Sequence, residues 1–449
     1  MAKKYLIETF GCQMNFHDSE RMAGLLEQAG YESTSDSQDA DVVVINTCSV
    51  RERAEDKLYS RLGELRAEAI EQGRRPVLAV TGCVAQQEGA TLRRRSRDID
   101  VIVGTQSLKM LPMLVDRAAQ EKAEQRKGAL RIDIDPHEDV SFPLGIARRS
   151  DPVKAYVTIV EGCNDFCTFC VVPYTRGHER MRPAREILEE VTEAAASGRR
   201  EIQLLGQIVN HYQAPDDPAI DFPELLGRVS RIDGVERVRF ASPHPRHVTQ
   251  RLIEAIRDIP QVCKHLHLPV QSGSTAVLKA MRRRYTRESY LELVDRVRAA
   301  VPGIALSTDM IVGFPGESAA DFKDTLSLVE RVRFHSMFSF KYSPRPNTLA
   351  HKRMSDDVGE EEKGRRLGAL QALQRDVQLE LHERAVGQRF EVLVDATSRK
   401  RDWELSGRTT GNTVVNFPGR PGWLGSIVRV EITEAGPNSL RGTAGSDAD

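Results

Sequence analysis

The chain has 449 residues, enough for about three domains and an ample buried core. Its 64 basic and 65 acidic residues leave a net charge of -1, which excludes a global pull toward nucleic acid or an anionic membrane and leaves room only for a local patch. Hydrophobic residues at 40% and charged residues at 29% exclude a largely disordered chain, a collagen-like repeat and a coiled coil, and no apolar run approaches the roughly 20 residues that span a bilayer.

Met1 to Tyr5 lead into a strand-like stretch without a signal-peptide core, so a cytoplasmic protein with no membrane partner is expected. From Lys4 to about Val103 one unit recurs: a short apolar run, a small turn, a cysteine and a helix-like stretch. The runs YLIETFG, DVVVINT and PVLAVTG are apolar and β-branched with amphipathic segments between them, the pattern of βαβ units and a parallel sheet. Cys12, Cys48 and Cys83 each fall just past a strand's C-terminal end, the edge at which ligands gather in open α/β sheets. Although 36 and 35 residues separate them, they are therefore able to meet in space. A helix follows, and the polar runs Gln120 to Lys127 and Asp133 to Asp139, with Pro136 and Pro143, mark residues 126–150 as a connector after an N-terminal domain of residues 1–125.

Six candidate strands lie between Lys154 and Tyr342: VKAYVTIV, EIQLLG, VERVRFA, CKHLHLPV, IALSTDMIVGF and SMFSFKY. The helix expected from Pro183 to Ser197 has Pro near its first turn and Gly198 after its end. Six βα units resemble an open version of the eight-unit barrel, whose active site lies at the C-terminal ends of its strands. With a charged helix from about Asp356 to Arg384 they make up a domain of residues 151–385. The last domain, 386–449, reads as a small all-β barrel from RFEVLVDA, WELSGRT, TVVNF and SIVRVEITEA with glycines in the turns, and its polar tail from Gly442 is expected to fray. The fold class is α/β followed by all-β.

Seven cysteines, an odd number without a secretion signal, favour metal or redox use over a disulfide framework. Cys163, Cys167 and Cys170 put three thiolates on one loop after the first barrel strand. Structural zinc normally takes two cysteine pairs or a Cys/His pair, and His178 lies eight residues beyond. Three thiolates on a four-iron cluster leave one iron open to a small molecule.

This Cys-x3-Cys-x2-Cys loop on a partial βα barrel resembles the radical S-adenosylmethionine enzymes. The resemblance implies a 4Fe-4S cluster on Cys163, Cys167 and Cys170 whose open iron chelates S-adenosylmethionine. Electron transfer from the reduced cluster then cleaves that molecule, and the resulting radical attacks an unactivated C–H bond. It also implies a cofactor pocket with Phe169 near the adenine and with Gly206, Gln207 and the stretch Asp309 to Gly313 contributing.

A cysteine after a strand is more often a small buried hydrophobe; its recurrence in three consecutive units lifts the first trio. The order of spread cysteines, radical domain and small β domain resembles the methylthiotransferases over essentially the whole chain. TFGCQMN, NTCSVRERAEDK, GCVAQQ, CTFCVVPYTRG, LHLPVQSGS, DMIVGFPGE and FKYSPRPNT are similar to that family as well. The resemblance implies a second 4Fe-4S cluster on Cys12, Cys48 and Cys83 that delivers sulfur, S-adenosylmethionine used twice, and an electron donor as partner.

Three substrate classes compete within the family: isopentenylated adenosine in tRNA, threonylcarbamoyl adenosine in tRNA, and an aspartate of a ribosomal protein. CVVPYTRG and the run Leu405 to Thr409 with Asn412 to Phe417 are similar to the first. This implies methylthiolation at C2 of N6-isopentenyladenosine at position 37, beside the anticodon. A departure is Ile208, where the family reads Gln-Asn-Val-Asn and this chain Gln-Ile-Val-Asn. From another class, a non-catalytic RNA-binding iron–sulfur protein would keep the β domain but has no need for an open iron.

The β domain resembles the RNA-binding TRAM module, with Trp403, Phe417 and Trp423 available either to stack on bases or to fill the barrel's core. Basic segments at Arg93 to Arg97, Arg176 to Arg185 and Arg282 to Arg287 are solvated faces or contacts for an anticodon stem-loop. Cys263 reads as core, and His265 and His267 as hydrogen-bonded barrel residues. The sequence leaves the oligomeric state open, with a monomer as the working expectation.

Overall fold

The structure, a computed structural model, describes residues 2–49, 52–124, 130–135, 142–398, 401 and 403–445. They form two compact units, residues 1–150 with 161–165 and 170–182, and residues 151–160 with 166–169 and 183–449. Among the described residues no helix is long and apolar enough to cross a membrane.

The first unit is built on six parallel strands: β1 (Lys3–Phe10), β2 (Tyr31–Ser33), β3 (Val42–Thr47), β4 (Val77–Gly82), β5 (Val101–Val103) and β6 (Arg131–Asp133), in the order β2-β1-β3-β4-β5-β6. Both central strands, VVVINT and VLAVTG, are buried along their whole length, which is why they lack polar alternation. Period-two geometry sends Val42 and Val44 to one face, with Met22, Leu26, Leu111 and Val115, and Val43 and Ile45 to the other, with Leu58, Leu62 and Leu65. Each such side chain contributes about 1.5–3 kcal/mol on burial. A one-residue slip of β3 would exchange the two faces.

Three of these strands, β2, β5 and β6, fall outside the three expected runs. Tyr31–Ser33 extends the sheet beyond β1, and Arg131–Asp133 lies inside the stretch expected as connector, pairing with β5 in register from Val101↔Arg131. Three-residue strands carry too little periodicity to be read locally. Residues 126–129 and 136–141 of the expected connector, Pro136 included, lie outside the described residues.

In the second unit β7 (Lys154–Thr158) begins the partial barrel; along the chain the cysteine loop is bracketed by β8 (Val160–Glu161) and by β9 (Arg180–Met181), which belongs to the first unit. The other barrel strands are β10 (Glu201–Leu205), β11 (Arg237–Phe240), β12 (His265–His267), β13 (Ala305–Val312) and β14 (Ser336–Lys341). All six expected strands form, as two parallel sheets, β11-β10-β7 and β12-β13-β14, joined by a parallel bridge between Val238 and Val262. No pairing among the described residues closes β14 onto β7, so the arc is open. Asp221, Thr249, Ser274, Thr286 and Ser318 cap the following helices by accepting backbone N–H bonds. The two helices expected here run over Ala184–Ala196 and Glu360–Glu383.

Residues β15 (Arg389–Thr397), β16 (Glu404–Thr409), β17 (Val414–Pro418), β18 (Ile427–Ala435) and β19 (Leu440–Ala444) form a closed barrel around Val392, Val394, Leu405, Val415, Phe417, Val430 and Ile432. The stretch expected to fray is in part β19, which closes the barrel between β17 and β18. Its composition, LRGTA, looks like a tail because only Leu440 and Gly442 are buried. The expected end, residues 446–449, lies outside the described residues.

This barrel is fixed to the N-terminal ends of the βα strands by buried charge. Arg237, the first residue of β11, donates from Nη2 to the Glu391 carbonyl at 2.9 Å. Arg239 donates to the Thr409 and Thr410 carbonyls at 2.6 and 3.1 Å and to Glu201 Oε2 at 2.8 Å. Lys154 of β7 pairs with Asp395.

Candidate active site

The three spread cysteines meet because β1, β3 and β4 are level. Register pairs Phe10 with Thr47 and Thr47 with Gly82, so the chain leaves all three strands at the same height. Cys12 caps the helix Gln13–Gln28, Cys48 follows β3 directly, and Cys83 opens the helix Cys83–Glu88. Gly82 makes the last turn possible. Its φ is +89°, and a Cβ there would stand 2.4 Å from Asn46 Oδ1 and 2.6 Å from the Thr47 carbonyl.

The Cys12 and Cys48 side chains are hydrogen-bonded, which pulls the Cys12 thiol down to about 6, whereas burial pushes the Cys83 thiol up. Asn15 and Asn46 tie the edge together: Asn15 Nδ2 donates to Asn46 Oδ1 at 3.0 Å, and Asn46 Nδ2 to the Asn15 carbonyl at 2.8 Å. Cys12 Sγ donates to Asn15 Oδ1 at 3.3 Å.

Beside the thiols stands a buried cation. Arg176 Nη2 donates to Asp18 Oδ2 at 2.6 Å, and its guanidinium also hydrogen-bonds Cys83. Burial alone would lower the Arg176 guanidinium, but Asp18, Cys83, Cys12 and Glu161 together outweigh it and hold the group well above its ordinary value. A second pair, Arg21 Nη1 to Glu161 Oε1 at 3.1 Å, lies in the same buried network. A fixed positive charge favours thiolate over thiol and suits an anionic inorganic group.

Two further atoms bear on what these cysteines can hold. Thr81 Oγ1 and Ser49 Oγ, one beside Gly82 and one beside Cys48, are buried without a hydrogen-bond partner, and hydroxyl donors suit sulfur acceptors. None of the seven cysteines is disulfide-bonded. Among the described residues no three His, Cys, Asp or Glu side chains form a ready group around a single metal ion. The donor set fits an iron–sulfur cluster.

In the cysteine loop the Cys163 N–H donates to the Gly177 carbonyl at 3.1 Å. Farther on, Thr168 is bonded through its N–H to the Met281 carbonyl at 3.1 Å and through Oγ1 to the Ala280 carbonyl at 3.0 Å. Cys167 Sγ accepts from Arg283 Nη1 at 3.3 Å.

The residues expected in the cofactor pocket differ in what surrounds them. Phe169 packs against Val277, Met281, Phe314, Tyr342 and Ala350. The Gly206 turn is closed by Val160 and Val209, and Gly313, at φ +71°, faces Lys363 Cγ 2.3 Å from where a Cβ would stand. Gln207 keeps a buried side-chain oxygen without a partner. Asp309 lies 3.4 Å from His267 Nε2. Ile208 is buried.

His265 and His267 both hydrogen-bond Ser307 Oγ at 2.9 Å, and Cys263 is buried, as expected. A concavity of about 630 Å³ beside the helix Ala184–Ala196, lined by Arg185, Glu189, Asp216 and Arg228, contains none of the expected site residues.

The basic segments divide. Arg176 and Arg283 are spent on buried partners, and the half-buried Arg287 donates to the Gly273 carbonyl at 3.0 Å. Phe417 is core and Trp423 packs on it, whereas Trp403 is 58% exposed with the Arg401 guanidinium 5.5 Å above its ring. Asn15, Asp18 and Arg21 are not among the residues the sequence singles out. The available signal was their spacing of three, which puts polar side chains on one helix face directly after Cys12.

Residues 4–104 match uncharacterized protein family UPF0004, 157–329 the radical SAM superfamily and 383–444 the TRAM domain. The chain is 47% identical over 440 residues to a tRNA-2-methylthio-N(6)-dimethylallyladenosine synthase of Geobacter metallireducens, covering 98% of both chains. It is 43% identical over 442 residues to the enzyme of that name from Aquifex aeolicus, again covering 98% of each. Among solved structures, the radical S-adenosylmethionine methyltransferase TsrM from Kitasatospora setae, with cobalamin and a [4Fe-4S] cluster bound, superposes with a TM-score of 0.54 at 14% identity over 87% of this chain and 76% of that one, a likeness of fold. Near-complete coverage at such identity, on a fold that brings Cys12, Cys48 and Cys83 to one sheet edge, means that the chain belongs to the tRNA-2-methylthio-N(6)-dimethylallyladenosine synthase family of radical S-adenosylmethionine methylthiotransferases.

Proposed function

We propose that this enzyme converts the C2–H bond of N6-isopentenyladenosine at position 37 of tRNA to C–SCH3, using two 4Fe-4S clusters, one on Cys163, Cys167 and Cys170 and one on Cys12, Cys48 and Cys83. The observation that carries the reading is the meeting of Cys12, Cys48 and Cys83 beside a buried guanidinium, because thiols so placed serve no structural purpose that smaller apolar residues would not serve. When bound, the clusters and S-adenosylmethionine supply radical hydrogen abstraction and the sulfur to be inserted.

The chain's own residues supply placement and charge. Arg176, held by Asp18, keeps positive charge beside the thiolates, while Asn15 and Asn46 fix the turn that carries Cys12. Docking through Arg237 and Arg239 lets the β domain present Trp403 to RNA from a fixed position on the barrel. Among the substrate classes, an isopentenyl group gains from an apolar pocket, whereas a threonylcarbamoyl carboxylate would need a buried cation to offset several kcal/mol of desolvation. The relatives' names support the first class. A separate electron donor is required, and the reading needs one copy of the chain.

The test is mass spectrometry of tRNA nucleosides from a strain lacking the protein. The methylthiolated isopentenyladenosine should disappear while its unthiolated precursor accumulates. Unchanged methylthiolation, or loss from a ribosomal protein instead, overturns the assignment.

A further inference from the structure

Arg283 lies within a run of basic residues that reads locally as a solvated face, yet only 7% of it is exposed. All its polar contacts point inward. Nη1 donates to Cys167 Sγ at 3.3 Å, Nη2 to the Pro269 carbonyl at 3.2 Å and Nε to the Tyr285 hydroxyl at 3.0 Å, with the guanidinium 5.4 Å from the Tyr285 ring centre. The Tyr285 hydroxyl in turn donates toward the carbonyls of Pro269 and Val270.

No carboxylate among the described residues pairs with this buried cation. Two other deeply buried arginines of this unit show the contrast, Arg239 with Glu201 and Arg366 with Glu317, whereas Arg237 is spent on two carbonyls of the β domain. A desolvated guanidinium keeps its charge and is costly without an anion. The group within reach that becomes an anion is the Cys167 sulfur.

The backbone is arranged for the same purpose. Arg282 and Arg284, on either side, have φ of +60° and +59°, a left-handed conformation that non-glycine residues resist. Strain on both neighbours of one inward-pointing side chain is the pattern expected where the surroundings force an orientation that function uses. The preceding helix Thr275–Ala280 and Met281 hold the loop through the two bonds to Thr168, so donor and sulfur share one support.

We infer that Arg283 is a positioning residue, the counter-ion and hydrogen-bond donor of Cys167 as an iron-bound thiolate, and that it raises the reduction potential of the cluster held there. This rests on the proposed reading that Cys163, Cys167 and Cys170 hold a cluster. Reduction adds one electron to the cluster, making it more negative. A fixed positive charge and a hydrogen bond to a ligand sulfur stabilise that form more than the oxidised one, and low local dielectric strengthens the effect. The residue therefore bears on how readily a cellular donor can charge the site.

The test is a redox titration followed by electron paramagnetic resonance on the full chain carrying Cys12→Ala, Cys48→Ala and Cys83→Ala, so that one cluster is observed. Into this background go Arg283→Gln and Arg283→Lys. With iron and sulfide loaded to the parent level, Arg283→Gln should lower the reduced-to-oxidised ratio at fixed poise about tenfold, a midpoint about 59 mV more negative for a one-electron couple. Arg283→Lys, which keeps charge without the planar fork, should lie between. A loaded Gln variant at the parent midpoint overturns the inference. So does a Gln variant that takes up no iron if the Lys variant loads and titrates more than tenfold away on the positive side or at the parent value. If the parent itself takes up no cluster, the cysteine assignment fails, and that result is distinguishable from any of these.

Discussion

Replacing Arg239 by Met tests how the β domain is held. Arg239 and Glu201 are 5% and 1% exposed, and the guanidinium bonds that carboxylate and two carbonyls of the β domain. Removing it leaves Glu201 buried without its closest cation, a loss of about 3–5 kcal/mol for a broken buried pair. Lys154 and Arg237 remain as weaker positive neighbours, so about 3 kcal/mol is the working figure. The chain's two tryptophans, Trp403 and Trp423, both belong to the β domain, so indole emission during urea unfolding reports on that domain alone. With a slope of about 2 kcal/mol per M, the midpoint should fall by about 1.5 M.

The pH dependence carries a sign. Burial would push the Glu201 carboxyl up, but Arg239 holds it below the ordinary range, so in the parent protein this stabilisation is present above the unfolded value and is lost as pH falls through the depressed one. In Arg239→Met burial acts with less opposition, so the deficit is largest near neutrality and shrinks as pH falls into the ordinary carboxylate range. Adding Glu201→Gln should recover most of the loss, because no charge is then stranded. A midpoint shift below about 0.3 M, or a double variant as unstable as the single one, would refute the reasoning.

Anaerobically reconstituted protein should carry about eight irons and eight sulfides, and replacing either cysteine trio by Ala should leave about half; zinc without iron–sulfur absorbance is the contrary result. Trp403→Ala should weaken tRNA binding by about 1–3 kcal/mol with an unchanged salt slope, since it removes stacking and no phosphate contact, and a filter-binding titration at two salt concentrations reads both. Phe417→Ala, by contrast, should lower the urea midpoint of the β domain, because it opens a core cavity worth about 3–5 kcal/mol.

Much of the molecule was legible in order along the chain. Runs such as VVVINT and VLAVTG announce buried parallel strands because burial on both faces removes polar alternation, and a cysteine at the same place in three successive units marks one sheet edge. These are local signals: they depend on residues within one strand or helix. What escaped was non-local. The stretch from Gly442 to Ala444 reads as a frayed tail until β18 is there to pair with it, and Arg131–Asp133 reads as connector until β5 is. The charged residues are the clearest case, since a run of arginines looks the same whether it meets water or a buried acceptor. Arg176 finds Asp18 across 158 residues and Arg283 finds Cys167 across 116. The cost of desolvating a charge is decided by what the fold places opposite it, and only the tertiary structure supplies that partner.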